Sequence, residues 1–316
     1  MRVIFAGSPD IAVPTLRALN ETHSVNGVIT NPDKVSGRGR KTTLTPVKME
    51  ALSLGLPLFQ PQNFDESFYR QIREEEAECL IVFAYGRILP RDFIDIFPIG
   101  GINIHPSLLP KYRGPSPIPA AIINRDKMTG ISIQKLAEKM DAGDILLQKK
   151  IPLQEDETTG SLSHYVSREA PGMLLEALKA LEKGSHVWTP QNEAEASYCS
   201  LAKKEDGRIN WQNSAENIAA MIRAYDPWPG CFTSVKGKIL KILSGHPFTA
   251  SRSSVSAELP PGTVLGVDKK EGILIQTQKG VLAVTRLQWQ SKKPLSWTDF
   301  INGAGDIIGS QLGEDG

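Results

Sequence analysis

In RVIFAG (2–7) the residues after Arg2 form an unbroken apolar run that stops at SPD and gives way to the helical pattern IAVPTLRALN. A buried strand, a turn and a helix in succession commit the chain to a βαβ arrangement, provided strands and helices keep alternating. They do: SVNGVIT, ECLIVFA (78–84), GINI (101–104), ISIQKL (131–136) and DILLQKK (144–150) all have strand character. Helical periodicity fits TPVKMEALSLG, DESFYRQIREEE, LPRDFIDIF and the long GSLSHYVSREAPGMLLEALKALEKG, in which Pro171 is expected to break or kink the helix. The expectation is an α/β domain with an open, mostly parallel sheet.

With 316 residues the chain has room for a second domain. The texture changes after residue 190, where TPQNEAEASYCSLAKKE is polar and irregular. Beyond it come one helix, SAENIAAMIRAYDP, and short alternating strands punctuated by Gly and Lys-Gly turns, which suggest a small β-barrel. The expected organisation is a catalytic domain over 1–190, a linker over 191–206 and a barrel domain over 207–316, with SRSSVSAE (251–258) as a loop. Cys79, Cys199 and Cys231 are too few and too far apart for a disulfide framework or a CxxC site, which fits a reducing compartment. No apolar run is long enough for a signal peptide or a membrane span, so a cytoplasmic protein without membrane contact is expected. The formal net charge of +1 leaves any nucleic-acid partner to local patches.

Three segments bear polar groups where a parallel sheet binds ligands, beyond its carboxyl strand ends. In GINIHPSLLPKYRG, Asn103 and His105 sit two apart and project to one side of a strand that Pro106 terminates. In KMDAGDILL, Asp141 and Asp144 bracket a tight turn; the flanks lack the alternating oxygen ligands of a calcium loop, so no metal is expected. In VFAYGRILP a strand runs straight into Tyr85-Gly86 at the same edge. The first strand-turn-helix has no GxGxxG fingerprint, which argues against a dinucleotide. PDKVSGRGRKTTLTPVK (32–48) sets Lys34, Arg38, Arg40, Lys41 and Lys48 against Asp33, and reads either as a solvated loop or as a phosphate-contacting arm. Lys236, Lys238 and Lys241 could track a nucleic-acid backbone or be ordinary surface lysines, and Trp228 is expected in packing.

Taken together, N-x-H-P-S-L-L-P-x-Y-R-G and the M-D-x-G-D about 36 residues after its histidine resemble the formyltransferases that use 10-formyltetrahydrofolate. The resemblance extends over nearly the whole chain: VIFAGSPDIAVPTL, NPDKVSGRGRKTTLTPVK, LPLFQPQNF, VFAYGRILP and DGRINW…IRAYDPWPG. SGRGRK and the WPG region are particular to members that act on a charged tRNA. The resemblance implies a Rossmann-like catalytic domain followed by an OB-fold-like barrel. It implies Asn103, His105 and Asp141 as catalytic residues, and Ser107, Leu108, Leu109 and Pro110 as folate-binding. Tyr85, Gly86, Ile88 and Asp144 would border the pterin ring, and Arg38, Arg40 and Lys41 would contact the acceptor arm of the tRNA. Pro119 and Gln134 depart from the family, in which Gln or His and Met, respectively, are common there.

The implied reaction carries the formyl group from the co-substrate 10-formyltetrahydrofolate to the amine of initiator methionyl-tRNA, in a monomer without metal. An amine attacks a formyl carbon and an oxyanion develops, so a fixed donor is needed; Asn103 suits that role at any physiological pH. His105 can move the proton and Asp141 can orient the ring or act through a water. Two other readings share these residues in part. One is a formyltransferase for a small amine, a sugar nucleotide or a purine precursor; the other is a folate- or RNA-binding protein without catalysis.

Overall fold

The computed structural model describes residues 1–36, 41–249, 259–303 and 307–313. The chain divides into two compact units: one of 1–117, 127–152 and 161–200, the other of 118–126, 153–160 and 201–316. Arg38 and Arg40 and the expected loop 251–258 lie outside the described residues.

In chain order the elements up to residue 182 are β1 (Arg2–Gly7), α1 (Val13–Thr22), β2 (Ser24–Ile29), β3 (Lys34–Ser36), β4 (Lys41–Thr43), α2 (Pro46–Ser53), β5 (Leu58–Phe59), α3 (Glu66–Glu74), β6 (Cys79–Phe83), α4 (Arg91–Ile94), β7 (Gly101–His105), α5 (Pro117–Ile123), β8 (Met128–Lys135), β9 (Ile145–Pro152) and α6 (Thr159–Glu182). Seven of the strands make one sheet in the order β5-β2-β1-β6-β7-β8-β9. The run from β5 to β7 is parallel, as expected, while β8 and β9 join antiparallel. The chain builds outward from β1 through β2 to β5 and then returns to lay β6 on the other side of β1. That reversal leaves the carboxyl ends of β1 and β6 as the topological switch point, where such sheets bind ligands.

The apolar runs become strands because β1 and β6 are covered on both faces: Val3 to Ala6 and Cys79 to Ile81 are essentially fully buried. Helix starts follow local chemistry. Thr45 accepts from Lys48 N (3.1 Å) ahead of Pro46, and Asp65 accepts from Phe68 N (3.1 Å). Of the break or kink expected at Pro171, a break is not found: the helix runs from Thr159 to Glu182 with the proline inside it. Leu162, Val166, Ala170, Leu174 and Leu178 repeat every four residues and are all buried. Burial of that stripe outweighs the loss of the one hydrogen bond that proline cannot donate.

The second unit continues with α7 (Ala215–Ala224), β10 (Cys231–Val235), β11 (Lys238–Pro247), β12 (Val264–Asp268), β13 (Gly272–Gln276), β14 (Val281–Trp289), β15 (Leu295–Ser296) and α8 (Trp297–Gly303). Its strands form an antiparallel sheet in the order β10-β11-β14-β13-β12, with β15 on β14. Ser214 caps α7 by accepting from Asn217 N (3.2 Å), and Ile218 and Ile222 join Leu240, Ile242, Ile275, Leu282 and Val284 in one core. Lys236 (φ 49) and Gly237 (φ 72) turn β10 into β11, both with the positive φ that a two-residue hairpin demands. Trp228 is 58 % exposed rather than packed, held out on a loop of alternating prolines.

In the first unit Phe93 is fully buried among the rings of Phe64, Phe68, Tyr69 and Phe97, at centroid separations of 5.0–5.7 Å. Phe93→Ala removes the centre of that cluster and is expected to cost about 3–5 kcal/mol, read as a lower urea midpoint with unchanged slope.

Candidate active site

β7 ends at His105, at the carboxyl edge of the sheet, and β8 pairs with it so that Asn103 lies opposite Gln134 and His105 opposite Ser132. Directly opposed residues share a face, so all four polar side chains project together. A carboxylate reaches them from the turn between β8 and β9. Asp141 Oδ1 accepts from Asn103 Nδ2 (3.2 Å) and Gln134 Nε2 (2.9 Å), and Oδ2 accepts from Gly114 N (2.8 Å). His105 Nδ1 lies 3.6 Å from the same Oδ1. The three residues expected to be catalytic therefore converge, although Asp141 lies far beyond His105 in the chain.

His105 is 4 % exposed. Its Nε2 is 2.9 Å from the carbonyl of Tyr112, which can only accept, so Nε2 carries the proton. Nδ1, on the Asp141 side, then holds the lone pair of the neutral ring. Burial pushes the imidazole below its ordinary value of 6.5; the Asp141 charge and the Tyr112 carbonyl pull the other way and do not overcome it.

The SLLP loop is held from several sides. Ser107 Oγ donates to Lys111 O (2.6 Å), while Ser132 Oγ donates to Ser107 O (2.7 Å) and accepts from Leu109 N (3.1 Å). Gln148 Nε2 donates to Leu109 O (2.8 Å), and Pro110 O accepts from Ser197 N (3.2 Å). Ser107 and Leu109 are buried, so Leu108 and Pro110 are the two members with surface to offer. One strand over, Phe83 is in register with Ile104, which sets the residues after β6 level with His105. Tyr85 turns its ring into the aromatic core, at 6.5 Å from Phe64, and offers its carbonyl, which accepts from Asn31 Nδ2 (2.7 Å). Asn31 Nδ2 also bonds Ser8 Oγ (3.0 Å), joining the ends of β1, β2 and β6. Gly86 (φ 79) has open space where a Cβ would point, its nearest neighbour being Asn31 Nδ2 at 3.9 Å, and Ile88 is 80 % exposed. Asp144 contributes its carbonyl to Lys135 N (2.9 Å), and the carboxylate of the cluster is that of Asp141. A groove of about 290 Å³ between Leu58 and Gln71 includes none of these residues.

Of the basic arm, Lys41 is described only as part of β4, which pairs antiparallel with β3. Lys48 is not a free cation: its Nζ donates to Asp33 Oδ2 (2.6 Å) and Gln60 Oε1 (2.7 Å). Among the described residues no group of three or more His, Cys, Asp or Glu side chains could hold a metal ion, and no helix is long and apolar enough to cross a membrane.

Several residues of the site carry no motif. Ser132 and Gln134 alternate with Ile131 and Ile133, a polar face on a strand, and beyond that pattern only Gln134 stood out, as a departure from the family. Gln191, Ser197 and Cys199 come from the polar stretch after α6, which is stitched to the first unit by Thr189–Ile145 and Tyr198–Arg113 bridges. Cys199 N donates to Arg113 O (2.8 Å) and Tyr112 N to Ser197 Oγ (2.9 Å).

The family model described as Formyl transferase matches residues 1–178, and that described as Formyl transferase, C-terminal domain, matches residues 202–305. The chain belongs to the formyl transferase family. Among curated relatives it is 44 % identical to the methionyl-tRNA formyltransferase of Treponema denticola, covering 98 % of both chains. To that of Roseiflexus castenholzii it is 42 % identical, covering 99 % of both. In fold it resembles WlaRD, a sugar 3N-formyl transferase solved with dTDP and 5-N-formyl-THF (TM-score 0.65, 18 % identity, 93 % of this chain and 99 % of that one). It also resembles HypX from Aquifex aeolicus in complex with tetrahydrofolic acid (TM-score 0.62, 19 % identity, 95 % of this chain and 47 % of that one).

Because the folded ring binds a proton less readily than the unfolded one, the neutral His105 supports the fold above about pH 6.5 and that support is lost as pH falls below it. His105→Gln is expected to flatten the fall in melting temperature between about pH 7 and pH 5; equal slopes in the two proteins would refute it.

Proposed function

We propose that this chain transfers the formyl group of 10-formyltetrahydrofolate to the free amine of initiator methionyl-tRNA, giving N-formylmethionyl-tRNA for translation initiation. One observation carries the reading: Asn103, His105 and Asp141 meet at the carboxyl rim of the sheet, in a chain aligned end to end with relatives of that activity.

The folate supplies an activated one-carbon unit on a nitrogen. Its flat ring has amide-like edges, and the rim next to His105 suits it: the Tyr85 and Gly86 main chain, the clear space over Gly86, exposed Ile88 and the pinned Leu108-Pro110 loop. Asp144 closes the far side through its main chain. Asn103 has one amide hydrogen on Asp141, which orients the group, and turns the other toward the formyl oxygen as negative charge grows there. His105 is held neutral by burial, with Nε2–H on Tyr112 O, so Nδ1 takes the proton that the attacking amine sheds. The imidazolium so formed gains the charge of Asp141, 3.6 Å away, and gives its proton to the folate nitrogen as the bond from that nitrogen to the formyl carbon breaks and tetrahydrofolate leaves. Asp141 stabilises the charged ring; it need not itself exchange a proton.

Arg38, Arg40 and Lys41 hold the acceptor arm through phosphates, with residues 207–316 as an OB-like tRNA-binding domain following the catalytic domain of 1–190. The protein acts as a monomer in the cytoplasm; three unpaired cysteines, two of them buried, suit that compartment.

A transfer assay with methionyl-tRNA and the formylated folate tests the reading against dTDP-amino sugars and purine-precursor amines. Turnover of the small amines with none of the charged tRNA would sink it. Asn103→Ala should lower kcat by about 100- to 1,000-fold with binding of the folate retained. Arg40→Ala should weaken tRNA use and reduce the slope of log affinity against log salt by about 1, leaving folate binding unchanged; an unaltered slope makes the arm a plain surface loop.

A further inference from the structure

Gln191 lies in the stretch between the two family matches, which end at 178 and resume at 202, and yet it reaches the turn that carries Asp141. Its Nε2 donates to Asp141 O (2.8 Å) and Gly143 O (2.7 Å). Its Oε1 accepts from Arg113 Nε (3.1 Å) and Nη2 (2.9 Å). A guanidinium only donates, so the amide has one orientation, oxygen toward Arg113 and NH2 toward the two carbonyls. Arg113 is itself immobilised: it is fully buried, forked onto Glu193 (2.7 and 3.0 Å) and bonded to Tyr198 Oη (3.2 Å).

The turn needs such a hold. Asp141 has φ 52, a conformation that a residue with a Cβ adopts reluctantly. Gly143 is pressed so close to Lys135 O that a Cβ would stand 1.8 Å from it. One amide bridges the carbonyls on either side of this crowded peptide.

We propose that Gln191 is a positioning residue: its amide, oriented by the buried Arg113, holds the Asp141 main chain in its left-handed turn and so keeps the carboxylate beside Asn103 and His105. The proposal rests on the catalytic reading above. The charge facing His105 is that of Asp141, and the other ring contact is the neutral Tyr112 carbonyl. Cys199, whose Sγ is 3.6 Å from the same carbonyl, is a thiol pushed up by burial and adds no charge. In a variant that adds no charge, a loosened turn therefore changes the field at His105 through Asp141 and its donor Gln134, which Gln191 Nε2 also contacts (3.3 Å).

Gln191→Glu keeps the size and the acceptor contacts to Arg113 but presents no donor to the carbonyls, whereas Gln191→Ala removes both. Both should lower kcat by about tenfold to a hundredfold, with KM for folate and tRNA within about twofold. In histidine-labelled protein the His105 imidazole, assigned with His105→Gln, should titrate at lower pH in Gln191→Ala, because the Asp141 charge has moved off; Gln191→Glu brings a carboxylate of its own and is read by kcat. Gln191→Ala with wild-type kcat and wild-type titration overturns the proposal, as does Gln191→Glu with wild-type kcat. So does a loss of activity that only tracks the unfolded fraction while the folded protein titrates as wild type. If Gln191→Ala does not fold, the comparison is made on Gln191→Glu and Arg113→Lys, the latter freeing the amide to turn. The titration needs no substrate, so a wild-type protein inactive on methionyl-tRNA would refute the proposed function and still leave Gln191 judged.

Discussion

The site depends on one pairing, the antiparallel seating of β8 against β7. It sets Asn103 opposite Gln134 and His105 opposite Ser132, and so gathers two amides, an imidazole and a hydroxyl on one face at the end of a buried sheet. A slip of a single residue would turn that face over and present Ile102, Ile104, Ile131 and Ile133 in their place. Those isoleucines are buried to within 2 % of complete, so the hydrophobic cost of a slip guards the polar register. Core and chemistry are specified by alternate residues of the same two strands.

Against that face the carboxylate of Asp141 acts as a hub. It accepts from Asn103, Gln134 and the Gly114 main chain and has its remaining influence on His105. Burial favours the uncharged ring while the carboxylate favours the charged one, and the balance leaves a base that can accept a proton and then be stabilised for having done so. Gln134, where the family commonly has Met, adds a donor to the hub. It shares the carboxylate's charge with a neutral group and tempers its pull on the imidazole.

Much of this was legible in the residues. Apolar runs and helical patterns located the helices of the first unit and all its strands but the short β3, β4 and β5, and the spacing of Asn103 and His105 put both on one side of a strand. Legibility failed where tertiary context decides. Pro171 reads as a helix break, yet five buried residues at four-residue spacing carry α6 through it. Trp228 reads as a packing residue, yet it is exposed. Lys48 counts as part of a basic arm until its pairing with Asp33 is seen. Ser132, Gln134 and Gln148 have no motif, because their work is to meet groups whose position only the fold defines. Gln191 was hidden for the same reason: Arg113 stands in the motif that ends Y-R-G, but its partner lies 78 residues on and is linked to it only through side chains.

The strap from residue 189 to 199 has a consequence for how such proteins can be recombined. By composition it looks like a spacer to be cut anywhere, but it is bonded to β9 at Thr189, to the β8–β9 turn at Gln191 and to the loop after β7 at Ser197 and Cys199. A chimaera that exchanges the C-terminal half at residue 190 would import a foreign strap beneath its own reaction centre. The better seam lies after Ser200, where this stretch of the first compact unit ends.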